Sequence, residues 1–207
     1  MSIEGEFFIT VTGAIEFAEF YDADNLFCKY EYHYGPEWSV VGGVEEGLTQ
    51  MSKCSNDARH LAVWNFPLNI AFKSTNPHGW PQLILSMYGL DLFGHDVTRG
   101  YGVCHVPLTA GRHDKKVPIY VVESSSVAQQ FLAWLTGRRP ELIDPSILAG
   151  GDGRELTRMK VQGSVAVSFN VMLKDFFKLG YDNGEKRTRN LVSIQKGSIY
   201  MLINFTL

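Results

Sequence analysis

Between Gly163 and Leu173 the chain alternates without a break. Val165, Val167, Phe169, Val171 and Leu173 take every second position, and Ser164, Ala166, Ser168 and Asn170 fill those between. A helical period of 3.6 would scatter the five apolar side chains around an axis, whereas a strand gathers them on one face. Residues 64–73 repeat the pattern, with Trp64, Phe66, Leu68, Ile70 and Phe72 set against Asn65, Asn69 and Lys73. Two strands that each bury one face and wet the other require an antiparallel sheet lying over a core. Trp64, Phe66, Ile70, Phe169 and Val171 are therefore expected to face one another between two sheets. Pro67 falls on the polar face and has no N–H to give a ladder, so the strand at 64–73 is expected to be bulged or at an edge.

Weaker versions of this alternation occupy 7–17, 26–34, 82–88, 100–108 and 117–122. In the first, Ile9, Val11, Ile15 and Phe17 form one face, and Gly13 in mid-strand suggests a bulge. Tyr34-Gly-Pro, Asn76-Pro-His-Gly, the stretch from Gly89 to Gly94 and Gly150-Gly-Asp-Gly supply the turns between them. Gly100-Tyr-Gly102, lying on a strand, reads as a bulge or a close backbone approach. Six or seven short strands with this spacing predict an all-β fold, an antiparallel β-sandwich. An aromatic content of 13 % suits that reading better than a helical bundle.

Two segments depart from the β pattern. From Ser125 to Gly137, Val127, Phe131, Trp134 and Leu135 recur at helical spacing, which predicts one inserted amphipathic helix. A short helical turn is expected around Asp175–Leu179. After Asp182 the chain becomes polar and charged, then ends on the apolar run SIYMLINFTL. The organisation read here is a domain over 1–182 and a tail over 183–207. That tail suits a docked strand, a partner-bound segment or an unstructured end equally well.

The net charge of −3 supports neither nucleic acid nor an anionic membrane as a global partner. Cys28, Cys54 and Cys104 are odd in number and widely spaced, which fits neither a disulfide framework nor a zinc site and points to reduced thiols. The start, MSIEGEFFITVTG, lacks the basic flank of a signal peptide. No apolar run reaches the ~20 residues of a spanning helix. A soluble, intracellular protein is the expectation.

Chemistry-bearing motifs are missing. The six histidines show no metalloprotease spacing, and no nucleophile elbow, phosphate-binding loop or dinucleotide fingerprint precedes a helix. No catalytic or cofactor-binding residue is assigned, and no cofactor is expected. A calcium site needs 6–8 oxygen ligands from converging loops. Asp22 and Asp24 share one turn and Asp91 and Asp96 another, but no third acidic loop follows the last strand, so no metal residue is assigned either. Arg112, His113, Lys115 and Lys116 form a basic group read as one turn, and Arg138-Arg139 follow the helix. At roughly 1 kcal/mol per basic residue, three or four give about 3–4 kcal/mol, which orients a protein on an anionic membrane without holding it there. Trp80, on a loop tip flanked by glycine and proline, is a candidate partner anchor. Pro67 and Phe72 join it as candidates on a suspected edge strand.

The segment VWNFPLNIAFKSTNPHGWPQLILSMYGLDLFGHDVTRGYGVCHVPL, followed by GRHDKKVPIYVVES, resembles the B9-domain family of ciliary transition-zone proteins. YGPEWSVVGGVEEGL, FLAWLTGRRPELIDP, GRELTRMKVQGSVAVSFNV and KLGYD extend the resemblance over Phe7 to Asp182. His78 departs from it, standing where the family usually has tyrosine in N-P-Y-G-W-P, and the apolar run after Ser198 has no counterpart in it. The resemblance implies a β-sandwich related to the calcium- and lipid-binding (C2-type) modules. It also implies a non-catalytic scaffold in the Meckel-syndrome-type complex, partnered by other B9-domain proteins in a hetero-oligomer. The protein would then support cilium assembly and gate the entry of membrane proteins. Its expected places are the cytoplasm, the cytoskeleton and the cilium base, at the basal body and transition zone. The alternative is a peripheral phosphoinositide- or membrane-binding module acting through the basic group.

Overall fold

The computed structural model describes residues 5–21, 23–91, 93–122 and 159–181. The expected helix at 125–137 with Trp134, the pair Arg138-Arg139, Asp22, the Gly150 turn and the tail at 183–207 lie outside the described residues. Ten strands appear among them: β1 Phe7–Phe20, β2 Asn25–His33, β3 Trp38–Gly43, β4 Glu46–Leu48, β5 Ser52–Lys53, β6 Leu61–Ser74, β7 Gln82–Leu90, β8 Asp96–His105, β9 Gly111–Val122 and β10 Met159–Lys174. The expected turn after the last strand is present as a 3-10 turn, Phe176–Leu179. β3, β4 and β5 are additions to the expected set. They are short, and SVVGG and EGL carry no alternation for a sequence reading to detect.

All pairings are antiparallel, and they link the strands in the order β3-β6-β1-β10-β9-β8-β7-β2-β4, with β5 beside β2. The sandwich is thus one continuous sheet that curls until its halves face each other. β6 and β2, at opposite ends of that order, meet across the core. Tyr30 lies 5.8 Å from Phe66 and Tyr32 lies 5.7 Å from Phe72 between ring centroids. The pairing is thinnest between β8 and β9, where a single pair, Tyr101 with Tyr120, carries the ladder.

The alternation of β2, β6 and β10 is reproduced in their burial. Trp64, Ile70, Phe169 and Val171 are buried as expected, while Phe66 is half-buried and packs against the core. They do not face one another between two sheets as expected, because β6 and β10 both pair with β1 and so lie on the same side of the core. In β1 the facing changes partway. The register shifts at Glu16, where β1 carries one residue more than β10 and one fewer than β6, so that Ala18 and Phe20 are buried and Phe17 is not. One extra residue reverses which side chains point inward. The bulge therefore lies at Glu16 and not at Gly13, which pairs regularly with Phe169 and Leu68. Gly13 serves a different need, because a Cβ there would stand 2.0 Å from the Ser168 carbonyl oxygen. The reading of Gly100 holds. The β7–β8 register shifts beside it, its φ is 149°, and a Cβ would meet the Tyr120 carbonyl oxygen at 2.7 Å.

Candidate partner-binding surfaces

A curled sheet that does not close has a seam, and the seam is where unpaired backbone groups gather. Here it runs between β6 and β2, and the segment from Val44 to Ser55 lies along it as a strap. On one side the Val44 N–H donates to the Asn69 carbonyl (3.0 Å), Gln50 Nε2 to the Trp64 carbonyl (3.0 Å) and the Ser55 N–H to the Leu61 carbonyl (2.9 Å). On the other side, β4 and β5 pair with β2. The Thr49 N–H donates to the Cys28 carbonyl (2.9 Å), and the Cys28 N–H returns a bond to Thr49 Oγ1 (2.9 Å). The strap blunts both edges with the chain's own backbone.

Pro67 fits this arrangement. Its β1 partner is Ala14, and it lies two residues from Asn69, whose carbonyl points away from β1 toward Val44. Residues two apart in a strand point the same way, so the missing N–H of Pro67 also faces away from β1. β3 covers β6 only from Ile70 to Ser74. β6 is therefore an inner strand for half its length and an edge for the rest, and the exposed proline sits on the edge half.

The other two partner candidates are occupied within the fold. Phe72 is wholly buried and packs against Tyr32, Tyr34 and Trp38. Trp80 donates its indole N–H to the Val106 carbonyl (2.9 Å), stands edge-on to Trp38 at 5.3 Å and touches Phe176. With Phe7, these rings close one end of the core. Sequence alone could not separate an interface tryptophan from this role, because the partners come from 26 and 42 residues away along the chain.

The basic residues do not form one turn. They lie on β9, where alternation puts His113 and Lys115 on the face of buried Val117 and Ile119 and turns Arg112 and Lys116 to the other. Lys115 Nζ donates to the His105 carbonyl (2.8 Å), and His113 Nε2 lies 2.9 Å from the Thr109 carbonyl. Both brace the hairpin in which β8 and β9 barely pair. Arg112 bonds Asp114 at 3.3 Å, and Lys116 bonds Glu19. Of the loop aspartates, Asp91 is spent locally. Its Oδ1 accepts the N–H groups of Phe93 and His95 at 2.8 Å each, and Oδ2 meets His95 Nδ1 at 3.2 Å. These bonds hold its carboxyl below the usual range.

What the surface does carry is an apolar row that sequence reading missed. Val41, Val44, Leu48 and Met51 are each about half exposed along β3 and the strap, and so is Val63 on β6, next to Trp64, whose carbonyl Gln50 of the strap reaches. The signal is faint, because these residues follow no period and are separated by glycines and acids.

Comparison with known proteins adds what geometry cannot. Residues 9–172 match the family model described as "Ciliary basal body-associated, B9 protein". The chain is 50 % identical over 186 residues to B9 domain-containing protein 1 of Mus musculus, a match covering 90 % of this chain and 91 % of that one. It is 53 % identical over 178 residues to the Xenopus laevis protein of the same name, covering 86 % and 90 %. To B9 domain-containing protein 2 of Xenopus laevis it is 30 % identical over 175 residues, covering 84 % and 98 %. Among solved structures, a C2 domain of plant Extended Synaptotagmin 1 aligns with 14 % identity and a TM-score of 0.38, over 79 % of this chain and 92 % of that one.

Proposed function

The chain belongs to the ciliary basal body-associated B9 family, and on that premise we propose that it is a non-catalytic scaffold subunit. It assembles with other B9-domain proteins in a hetero-oligomer at the basal body and transition zone, where the complex supports cilium assembly and gates the entry of membrane proteins. The observation that carries this reading is the family match over residues 9–172, which takes in the fold from β1 to β10. The physical features agree with it. Cys28 and Cys54 are buried, and burial pushes both thiols above their usual range, the opposite of an activated nucleophile. The polar side chains of the hairpins and the seam brace backbone, which suits a rigid mount for partners.

A peripheral phosphoinositide- or membrane-binding role is less well supported by the geometry, because the four basic residues divide between two faces and already bond within the fold. The deciding experiment is co-expression with B9 domain-containing protein 2, followed by light scattering on the purified material. A defined hetero-oligomer is expected. A stable monomer that ignores this partner at micromolar concentration would overturn the scaffold reading, and salt-sensitive sedimentation with anionic liposomes would favour the membrane role.

A further inference from the structure

The apolar row on the strap has an acidic margin. Glu45 accepts a bond from the Tyr34 hydroxyl, while Glu46 and Glu31 share one ammonium, Lys29, at 3.3 and 3.8 Å. Three carboxylates against Lys29 leave the margin around Glu46 negative, and Lys53 lies at the far end of the strap. Val41, Val44, Leu48 and Met51, at 55, 54, 55 and 46 % exposure, lie beside it with Val63 at 49 %. Grouped exposed aliphatic side chains of this kind mark a surface that something covers.

The end of the described chain is next to the start of that surface. The Tyr181 ring stands 5.9 Å from Phe7, and Phe7 stands 5.4 Å from Trp38, the first residue of β3. Beyond Tyr181 the sequence carries Lys186, Arg187, Arg189 and Lys196 against Asp182 and Glu185. It then runs from Ser198 to Leu207 with no charged side chain. A basic stretch leading to an apolar one complements an apolar row with an acidic margin.

We propose that the surface from Val41 to Met51, with Val63, is a docking surface whose occupant is the C-terminal segment Ile199–Leu207 of the same chain. The basic residues between Lys186 and Lys196 steer it toward Glu31, Glu45 and Glu46. Length permits this, since residues 182–207 extend to roughly 85 Å and the stretch from Trp38 to Met51 to roughly 45 Å. Attachment favours the same chain over a second copy, because linkage through a segment of this length gives an effective concentration near the millimolar range. At micromolar protein the tethered segment wins. This inference does not depend on the identity of any partner subunit.

The test compares the full chain with one ending at Gly197 by amide hydrogen exchange across residues 41–51. Exchange there is expected to be at least tenfold faster in the truncated chain, with the rates in β10 unchanged. A synthetic peptide of residues 185–207, added to the truncated chain, restores protection saturably and fails to do so on the Leu48→Asp, Met51→Asp variant. Should truncation unfold the protein, Ile203→Asp with Phe205→Asp in the full chain reproduces the faster exchange. Equal exchange in the full and altered chains, or a peptide that does not protect the strap, would overturn the proposal. So would protection in the full chain that rises with protein concentration, because the occupant would then be a second copy.

Discussion

The indole N–H of Trp64 donates to the carbonyl oxygen of Leu26 at 3.2 Å, joining two residues that sit at opposite ends of one sheet. The bond is buried, and the Trp64 carbonyl in turn accepts from Gln50 on the strap. One residue thereby closes the seam twice, inside through its side chain and outside through its backbone.

Trp64→Phe keeps most of the apolar volume but removes the donor, leaving the Leu26 carbonyl without its side-chain partner in a dry site. An unmet buried acceptor costs about 1–3 kcal/mol, and the smaller ring adds a cavity term. Urea unfolding should show a loss of at least ~1 kcal/mol with an unchanged m-value. No loss would mean that the seam bond contributes nothing.

Phe169 is wholly buried in β10 between Val167 and Val171. Phe169→Ala should cost about 3–5 kcal/mol through lost transfer energy and the cavity left behind. That is a large share of the ~5–15 kcal/mol that holds a typical domain. Thermal or urea unfolding that shows less than ~1 kcal/mol of loss would contradict this packing.

The same residue shows what sequence could reveal. β10, β6 and β2 each bury one face, so their alternation is written in the chain and the core positions follow from it. β1 does not keep its period, because the shift at Glu16 is set by pairing with two strands at once, one residue gained against β10 and one lost against β6. Gly13 attracts the bulge assignment as the conformationally free residue, yet it is there for the close approach of Ser168. The strap is invisible in the sequence for a related reason. Its structure comes from bonds to Asn69, Trp64, Leu61 and Cys28, none of them local. The basic residues look like one cluster because adjacent positions in a sequence sit on opposite faces of a strand.

Burial raises the Cys28 thiol to about 12 from an ordinary 9.0, and Cys104 to about 11. The folded state thus keeps a proton that the unfolded state loses. Stability from these groups is complete below about pH 9 and declines as pH rises toward 12. The decline approaches about 1.4 kcal/mol per pH unit for each thiol. Urea unfolding at pH 8, 9.5 and 10.5 should show this loss, and Cys28→Ala, though less stable at pH 8, should lose less as pH rises. Parallel pH dependences in the two proteins would show that the buried thiol is not the cause.

The last prediction concerns Pro67. The half of β6 beyond Gly43 is the part of the sheet that β3 fails to cover, and the strap reaches it through Asn69, Trp64 and Leu61. Between those contacts stands a residue with no N–H to offer, exposed and facing away from β1. Proline at an edge denies an incoming strand its hydrogen bond. Pro67→Thr restores the donor and raises strand propensity without disturbing the β1 ladder, because Pro67 donates nothing to Ala14 in any case. Unfolding free energy should therefore change by less than ~0.5 kcal/mol, the range of surface substitutions. Light scattering at rising protein concentration should instead show self-association beginning at lower concentration than in the parent chain. If the variant associates no more readily, the proline does not protect this edge, and the strap closes the seam without it.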